Sequence, residues 1–383
     1  MYEPSGSQSP NLAYLWPAFV AAAASDVAAV FAKHFANLAV GPAGPPSQEP
    51  RWATPHAIAL ELKTVRLRDF TTEAKGPPAL LCTPLALHGA AIADFAPGHS
   101  LVASLRRVGQ RRLFATDWRS ATAEMRLLGI DDYLADLNVL VDQIGAPVDL
   151  IGLCQGGWMA VLYAARFPAK VRKLVLAGAP VDIKAAPSAL SQLAETSPLA
   201  VFQELVRLGD GIVPGAKVLK FWGVGSVIAE DMKDVLQTDE AIGSAGFTEL
   251  EALFRNWYAW TIDLPGAYFL EVVEKLYKGN ELAAGRFLAL GQRIDLAKVS
   301  VPVFLLAARD DELVAPPQLF AVEHLVGTAP ADIKCETVPG RHVGLFMGKS
   351  ALEGVWPRIE RWLGEPKSSI PHHSPARSVE SVE

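Results

Sequence analysis

The sequence predicts an α/β fold with a mainly parallel sheet, helices on both faces of that sheet and a helical cap insertion. Short apolar runs alternate with amphipathic stretches along much of the chain. These runs are apolar throughout, as in parallel strands buried on both faces. In the middle of this alternation, the motif Gly-Leu-Cys-Gln-Gly-Gly at 152–157 joins a predicted strand to a predicted helix. Helical periodicity without a strand pattern then runs from residue 181 to residue 297, which predicts the insertion.

The motif at 152–157 has the pattern of a nucleophile elbow, G-x-S-x-G, with Cys154 in the position of the serine. Such an elbow places its nucleophile on a sharp turn between a strand and a helix. The neighbouring residues predict a strand at 148–151, a helix at 158–167 that ends before a proline, and a strand at 173–178. A buried structural cysteine in a glycine-rich turn is the alternative. We favour the elbow, which predicts the α/β-hydrolase fold.

The other elements follow from the same patterns of apolar residues, glycines and prolines. In chain order they are an extended segment at 57–70, a strand at 79–84, a helix at 100–108, a strand at 112–118, a helix at 130–144, strands at 301–307 and 333–338, and a helix at 351–363. Strands and helices that alternate in this way predict a parallel sheet covered by helices.

These elements divide the chain into five predicted parts. They are an N-terminal amphipathic helix and linker at 1–50, a first core part at 51–180, a helical cap at 181–298, a second core part at 299–365 and a disordered tail at 366–383. The insertion carries many aromatic residues, and a cap that closes over an acyl group needs such a lining. We expect the N-terminal helix to pack on the body of the protein; contact with a hydrophobic surface or a partner subunit is the alternative.

The composition excludes several classes of protein. Of the 383 residues, 50% are hydrophobic and 20% are charged, which is enough apolar material for a large core. The net charge of −6 gives no support for nucleic-acid binding. Three cysteines, one of them in the elbow, do not make a disulfide framework, and a thiol nucleophile favours the reducing cytoplasm.

Asp26, Lys33 and His34 interrupt the apolar run at 12–40 before it reaches the roughly 20 residues that span a bilayer, so we predict no transmembrane helix.

A thiol nucleophile needs a base, and the base needs an acid that orients it. In α/β-hydrolases these follow in the order nucleophile, acid, histidine. Asp310 and Asp311 come directly after the strand at 301–307, and His342 comes directly after the strand at 333–338. We prefer Asp311 as the acid because of its spacing within the loop, and Asp310 is the alternative. A turn or a helix N-cap is the structural explanation of either aspartate.

The fold also predicts where an oxyanion would be bound. One donor is the backbone N–H of Gln155, at the start of the elbow helix, and the other belongs to Leu85 or Ala86 in the loop after the strand at 79–84. His88 lies in the same loop and either lines the pocket or is solvated. The sequence contains no metal-ligand spacing, phosphate loop or dinucleotide fingerprint, so we predict no cofactor.

Cysteine at the elbow favours one kind of substrate. A helix N-terminus and a nearby imidazole both favour the thiolate, which is the reactive form. Its attack on a thioester yields another thioester, so the exchange is nearly thermoneutral and the acyl group stays activated for transfer to a hydroxyl group. Attack of a thiol on an ester is uphill. Cys154 therefore indicates acyl transfer from a thioester such as an acyl-CoA, without excluding hydrolysis.

Several segments in addition to the elbow resemble the polyhydroxyalkanoate synthases, a family with a cysteine in its lipase box. Besides the elbow at 152–157, these are Leu-Cys-Thr-Pro at 81–84, Asp-Phe-Ala-Pro-Gly-His-Ser-Leu-Val at 94–102, Asp-Trp at 117–118, Asp-Leu-Pro-Gly at 263–266, Asn-Glu-Leu at 280–282 and Gly-Gln-Arg-Ile-Asp-Leu at 291–296. The resemblance extends over roughly residues 50–365, and the motifs are specific in combination.

The resemblance implies an activity and its setting. Cys154 would take an (R)-3-hydroxyacyl group from CoA, His342 would deprotonate Cys154, and Asp311 would assist activation of the 3-hydroxyl group that attacks the next acyl thioester. A polyester chain would grow and CoA would leave, so the CoA thioester is a substrate and no cofactor is implied. The family also implies association with polyester granules in the cytoplasm, and either a homodimer or a partner synthase subunit.

Two predicted active-site loops differ from the family pattern. The family has Asp-His-Ile-Val-Pro where this chain has Asp-Glu-Leu-Val-Ala at 311–315, and the loop at 85–90 lacks the family's tyrosine.

The segment Gly-Arg-His-Val-Gly-Leu-Phe at 340–346 is also similar to intracellular polyhydroxybutyrate depolymerases. A cysteine-dependent depolymerase, esterase or thioesterase is therefore the alternative function. A non-enzymatic granule-associated relative is the third, and the complete set of Cys154, Asp311 and His342 argues against it.

Overall fold

Residues 48–222, 230–231, 235 and 244–366 are described by a computed structural model. The predicted N-terminal helix and almost all of the predicted tail lie outside these ranges, as does part of the predicted cap. The division of the chain into five parts therefore stays a prediction.

A mixed sheet of eight strands forms the centre of the described structure. The strands of the described residues are β1 Ala57–Glu61, β2 Val65–Asp69, β3 Ala79–Cys82, β4 Asp94–Ala96, β5 His99–Ser100, β6 Leu113–Trp118, β7 Val148–Leu153, β8 Val171–Ala177, β9 Ile212–Val213, β10 Leu264–Pro265, β11 Leu288–Ala289, β12 Gln292–Arg293, β13 Val303–Ala308 and β14 Ile333–Val338. The order across the central sheet is β1-β2-β6-β3-β7-β8-β13-β14. Strands β1 and β2 pair antiparallel at one edge, and all pairs from β6 to β14 are parallel. This confirms the mainly parallel sheet.

Helices connect the strands along the whole described chain. They are α1 Leu101–Val108, α2 Ile130–Ile144, α3 Gln155–Arg166, α4 Ala189–Thr196, α5 Leu199–Leu208, α6 Gly215–Trp222, α7 Ser244–Ala259, α8 Gly266–Glu271, α9 Pro316–Phe320, α10 Val322–Leu325, α11 Gly344–Met347, α12 Lys349–Gly354 and α13 Trp356–Gly364. A π-helix at Val272–Lys278 follows α8 directly. The two helices predicted before the elbow are confirmed as α1 and α2. Ser100 caps α1 by accepting the Ala103 N–H at 2.8 Å, and α1 ends at Gly109, whose φ of 144° suits a glycine.

Two predicted regions differ from the structure. The helix predicted at 351–363 is two helices, α12 and α13, because Pro357 has no backbone N–H with which to continue the first one. The predicted helical cap insertion also contains the antiparallel ribbons β9–β10 and β11–β12. Each of their strands has two residues, which is too short to show the alternation that identifies a strand in a sequence.

The elbow helix lies in the core of the protein. Every residue of β7 is buried, and so is every residue of α3 from Gln155 to Ala165. Close approach is possible because Gly156 has no side chain: a Cβ atom there would lie 2.1 Å from the Cys82 carbonyl oxygen. A Cβ atom on Gly157 would lie 2.2 Å from that of Ala179. The elbow glycines therefore let α3 pack against the ends of its neighbouring strands.

Gly156→Ala tests this packing. The added methyl group meets backbone atoms that cannot rotate away, so we expect the free energy of unfolding in urea to fall by about 3 kcal/mol. Gly354→Ala is the matched control, because no atom lies within 4 Å of a Cβ placed there. The control should unfold at the same urea concentration as the parent or a slightly higher one. Equal stability of both variants would contradict the close approach.

Candidate active site

Cys154 occupies the turn between β7 and α3 with a backbone conformation that few non-glycine residues adopt. Its φ is 50° and its ψ is −122°. The Cys154 N–H donates to the Ala177 carbonyl at 2.9 Å, and its own carbonyl accepts the Gly157 N–H at 2.8 Å. Strained conformations of this kind persist where the surrounding structure holds them, and they are typical of nucleophile elbows. The side chain is partly exposed and lies in a pocket at the carboxyl end of β7.

Asp311 and His342 meet at the same end of the sheet, after β13 and β14. Asp311 Oδ2 lies 2.7 Å from His342 Nδ1. The other oxygen, Oδ1, accepts the backbone N–H groups of Leu313 at 3.0 Å and Val314 at 2.8 Å. Both side chains are almost fully buried. Both carboxylate oxygens of Asp311 are thus engaged by the protein, so Asp311 contacts the base and not the pocket.

Asp310 has a different environment. Its side chain is exposed, and its backbone N–H donates to the Gly340 carbonyl at 3.1 Å. Of the two candidate acids, Asp311 is therefore the one that the structure brings into contact with His342.

The charge state of His342 depends on its neighbours. Burial alone would lower the pKa of His342, but the Asp311 carboxylate and the Cys154 thiolate together raise this pKa well above its ordinary range. Cys154 lies close enough to raise this pKa, yet Nε2 of His342 makes no hydrogen bond of normal geometry with a described residue. Such contacts commonly tighten when a substrate binds. The site therefore favours an imidazolium beside Cys154.

The position of His342 depends on a glycine at the end of β8. A Cβ atom on Gly178 would lie 3.0 Å from the His342 ring, and the φ of 55° at Gly178 also disfavours a side chain. The end of β8 thus leaves room for the imidazole between the elbow and the acid loop.

The residues predicted to donate to an oxyanion line the pocket that holds Cys154. Leu85, Ala86 and Gln155 line the same pocket as the thiol. The Gln155 side chain is held on two sides, because it donates to the Tyr277 hydroxyl at 2.6 Å and accepts the Trp158 indole N–H at 2.9 Å. This fixes the first turn of α3, and with it the direction of the backbone N–H groups at the elbow.

Two residues of the site had no signal in the sequence. Tyr277 belongs to the π-helix, a form that often occurs at functional sites, and it reaches Gln155 over 122 positions of chain. Asp231 is buried, and its Oδ2 accepts the N–H of Val343 at 3.2 Å. Burial raises the pKa of Asp231 to about 7, and the nearby His342 opposes that rise. Both residues lie in the segment predicted as the cap, where no motif marks them.

The pocket itself is mainly apolar. Its cavity has a volume of about 130 Å³. The lining includes Leu85, Ile92, Leu190, Trp257, Phe269 and Val273. Four of these belong to the segment at 181–298, so that segment supplies much of the wall facing Cys154. Such a surface suits an acyl chain.

Within the described ranges, no helix combines the length and the apolar character that crossing a bilayer requires.

Two sequence families match this chain. One, described as "alpha/beta hydrolase fold", matches residues 87–214, and the other, described as "PHB de-polymerase C-terminus", matches residues 231–366. The first includes the elbow, and the second includes Asp311 and His342.

Curated relatives extend the match over most of the chain. A poly(3-hydroxyalkanoate) polymerase subunit PhaC of Allochromatium vinosum is 27% identical over 325 residues, which cover 81% of this chain and 88% of the relative. The subunit of the same name from Synechocystis is 27% identical over 329 residues, covering 82% of this chain and 85% of the relative. The subunit of that name from Haloferax mediterranei is 24% identical over 344 residues, which cover 86% of this chain and 68% of the relative.

Solved structures support the fold alone. The enol-lactonase from Burkholderia xenovorans superimposes with a TM-score of 0.51 at 16% identity, over 81% of this chain and all of the lactonase. Together with the strand order, these findings show that the chain has the α/β-hydrolase fold. Over most of its length the chain is similar to the poly(3-hydroxyalkanoate) polymerase subunits.

Proposed function

We propose that this protein is an acyltransferase that polymerises (R)-3-hydroxyacyl-CoA into polyhydroxyalkanoate through an acyl-Cys154 thioester. The observation that carries the proposal is a cysteine, and not a serine, on an elbow that shares an apolar pocket with His342. Relatives named as polymerase subunits support the same activity.

The first half-reaction loads the enzyme. The Cys154 thiolate attacks the carbonyl carbon of the substrate thioester, and the negative charge on the carbonyl oxygen is stabilised by backbone N–H groups at Gln155 and at Leu85 or Ala86. The bond from carbon to the CoA sulfur then breaks. His342 gives its proton to the departing CoA thiolate, and Asp311 holds the imidazole in the orientation that this transfer needs.

The second half-reaction makes the ester. The 3-hydroxyl group of another hydroxyacyl unit attacks the carbonyl carbon of acyl-Cys154, and its proton passes to His342. A carbon–oxygen bond forms while the bond to the Cys154 sulfur breaks, so the thiolate is regenerated and the acyl chain is one unit longer. The side chains of the triad and the CoA thioester suffice for this sequence, without a metal or cofactor.

Granule association and a second subunit belong to the same proposal. A polyester product separates from water, so we place the enzyme at the surface of cytoplasmic granules. Either a homodimer or a partner synthase subunit accompanies this chain there, in keeping with relatives that are named as subunits.

A cysteine-dependent hydrolase is the second candidate, because residues 231–366 match a family described as "PHB de-polymerase C-terminus". A depolymerase, an esterase or a thioesterase would use the same acyl-Cys154 but transfer the acyl group to water. A thioesterase would differ from the polymerase only in the second half-reaction, whereas a depolymerase or an esterase would also load Cys154 from an ester and release an alcohol.

One assay separates the two candidates. With 3-hydroxybutyryl-CoA, we expect CoA release, followed with a thiol reagent, to be matched by polymer that sediments and yields 3-hydroxybutyrate only after alkaline hydrolysis. Soluble 3-hydroxybutyrate without polymer would overturn the polymerase and indicate a thioesterase. Release of oligomers from amorphous polyester without use of the thioester would indicate a depolymerase.

A further inference from the structure

His88 is a buried imidazole in the wall of the pocket that holds Cys154 and His342. It lies in the loop after β3, and 9% of its surface is exposed. No step of the proposed mechanism uses it. A polar side chain of this kind is costly in an apolar wall unless it meets a hydrogen-bond partner, so its presence requires an explanation.

Two aromatic side chains of α7, Trp257 and Tyr258, hold the His88 ring in place. The His88 ring centroid lies 4.7 Å from that of Trp257 and 5.0 Å from that of Tyr258. The adjacent Gly89 permits this packing, because a Cβ atom there would lie 2.8 Å from the Trp260 ring. These rings hold the imidazole by contacts with its faces. Its two nitrogens lie at the edge of the ring, where a hydrogen-bond partner would approach.

The ring nitrogens of His88 are available for hydrogen bonding. Neither ring nitrogen makes a hydrogen bond of normal geometry with a described residue, although one faces the backbone of Trp260. Burial lowers the pKa of His88 to about 4, so the ring is neutral at neutral pH. A neutral imidazole has one N–H donor and one acceptor nitrogen. If the Trp260 carbonyl takes the N–H, the acceptor nitrogen remains for a ligand.

The side chains of Asp311 and Gln155, which lie near the thiol, are already hydrogen-bonded within the protein. Asp311 is bound through both oxygens to His342 and to backbone N–H groups, and it does not line the pocket. The Gln155 side chain is bound to Tyr277 and Trp158. The group that the polymerase substrate brings into an apolar pocket, besides its reacting thioester, is the hydroxyl on C3.

We propose that His88 recognises the 3-hydroxyl group of the acyl chain, whose O–H donates to the unprotonated ring nitrogen. This inference rests on the proposed function, from which the hydroxyacyl substrate comes. It makes His88 a specificity-determining residue that distinguishes hydroxylated from plain acyl groups.

Binding to an inactive enzyme tests the inference independently of turnover. In a Cys154→Ala background, calorimetry with (R)-3-hydroxybutyryl-CoA and butyryl-CoA should give a Kd about tenfold lower for the hydroxylated ligand, as expected for one buried hydrogen bond. Adding His88→Phe keeps an aromatic ring in the same place but removes the acceptor. We expect it to bring the two Kd values within about twofold of each other and to leave that of butyryl-CoA nearly unchanged.

The matched variants are His88→Asn, which keeps an acceptor and should restore part of the preference, and Tyr268→Phe, which removes a different hydroxyl group from the same pocket wall. A preference that persists in His88→Phe, or that disappears in Tyr268→Phe instead, would overturn the inference. So would equal affinity for the two ligands, or no binding of either, in the Cys154→Ala parent. A hydroxyl preference that depends on His88 in a protein that makes no polymer would instead sink the polymerase proposal alone.

Discussion

Cys154→Ala abolishes CoA release from 3-hydroxybutyryl-CoA, with a loss of about 10⁴-fold or more, because the acyl group then has no sulfur to which it can be transferred. The same change should abolish hydrolysis of activated esters, since both candidate functions pass through acyl-Cys154. Stopped-flow measurement of the first turnover checks the result directly.

Cys335→Ala is the control for a change in thiol content. Cys335 lies at the exposed edge strand β14, remote from the elbow in the sheet order. Its replacement should leave the first turnover within about twofold of the parent, as expected for a surface substitution. Retention of most activity in Cys154→Ala would refute the assignment of the nucleophile.

Asp311→Asn lowers the rate of CoA release by about 10³- to 10⁴-fold, because an amide no longer stabilises the protonated imidazole or fixes its tautomer. The Asp311 carboxylate helps to raise the pKa of His342, so we expect this pKa to fall in the variant. The imidazolium would then be lost at a lower pH. A shift of the pH–rate profile for single-turnover CoA release would report that change.

Asp310→Asn is the matched control, because it makes the same chemical change at the neighbouring, exposed position. Its rate and its pH profile should stay within about twofold of the parent, as for other surface changes. A large loss in Asp310→Asn with a nearly normal rate in Asp311→Asn would mean that the acid loop changes its conformation in the working enzyme.

Much of this fold could be predicted because its evidence is local. The strands around the elbow are apolar throughout, and the elbow pattern identifies their connection within a few residues. The positions of Asp311 and His342 followed from the order nucleophile, acid, histidine that α/β-hydrolases share, with each residue directly after a predicted strand. The choice between Asp310 and Asp311 was harder, since it depends on which carboxylate turns inward, and that is settled by the packing of the loop.

Other features could not be predicted because they arise from contacts between distant parts of the chain. Asp231 reaches Val343 over 112 positions, and nothing in the residues around it indicates burial. The environment of His88 likewise depends on Trp257 and Tyr258, far along the chain. The break before α13 was different: Pro357 was visible in the sequence, but the amphipathic pattern that continues through it concealed the interruption.

The small cavity beside Cys154 limits how much of an acyl chain the active site can enclose. Its volume of about 130 Å³ is close to the roughly 150 Å³ of an engineered cavity that binds benzene. Under the proposed function, a cavity of this size encloses only a short acyl group. We therefore expect the ester units already made to extend out of the cavity, so that its volume does not limit their number.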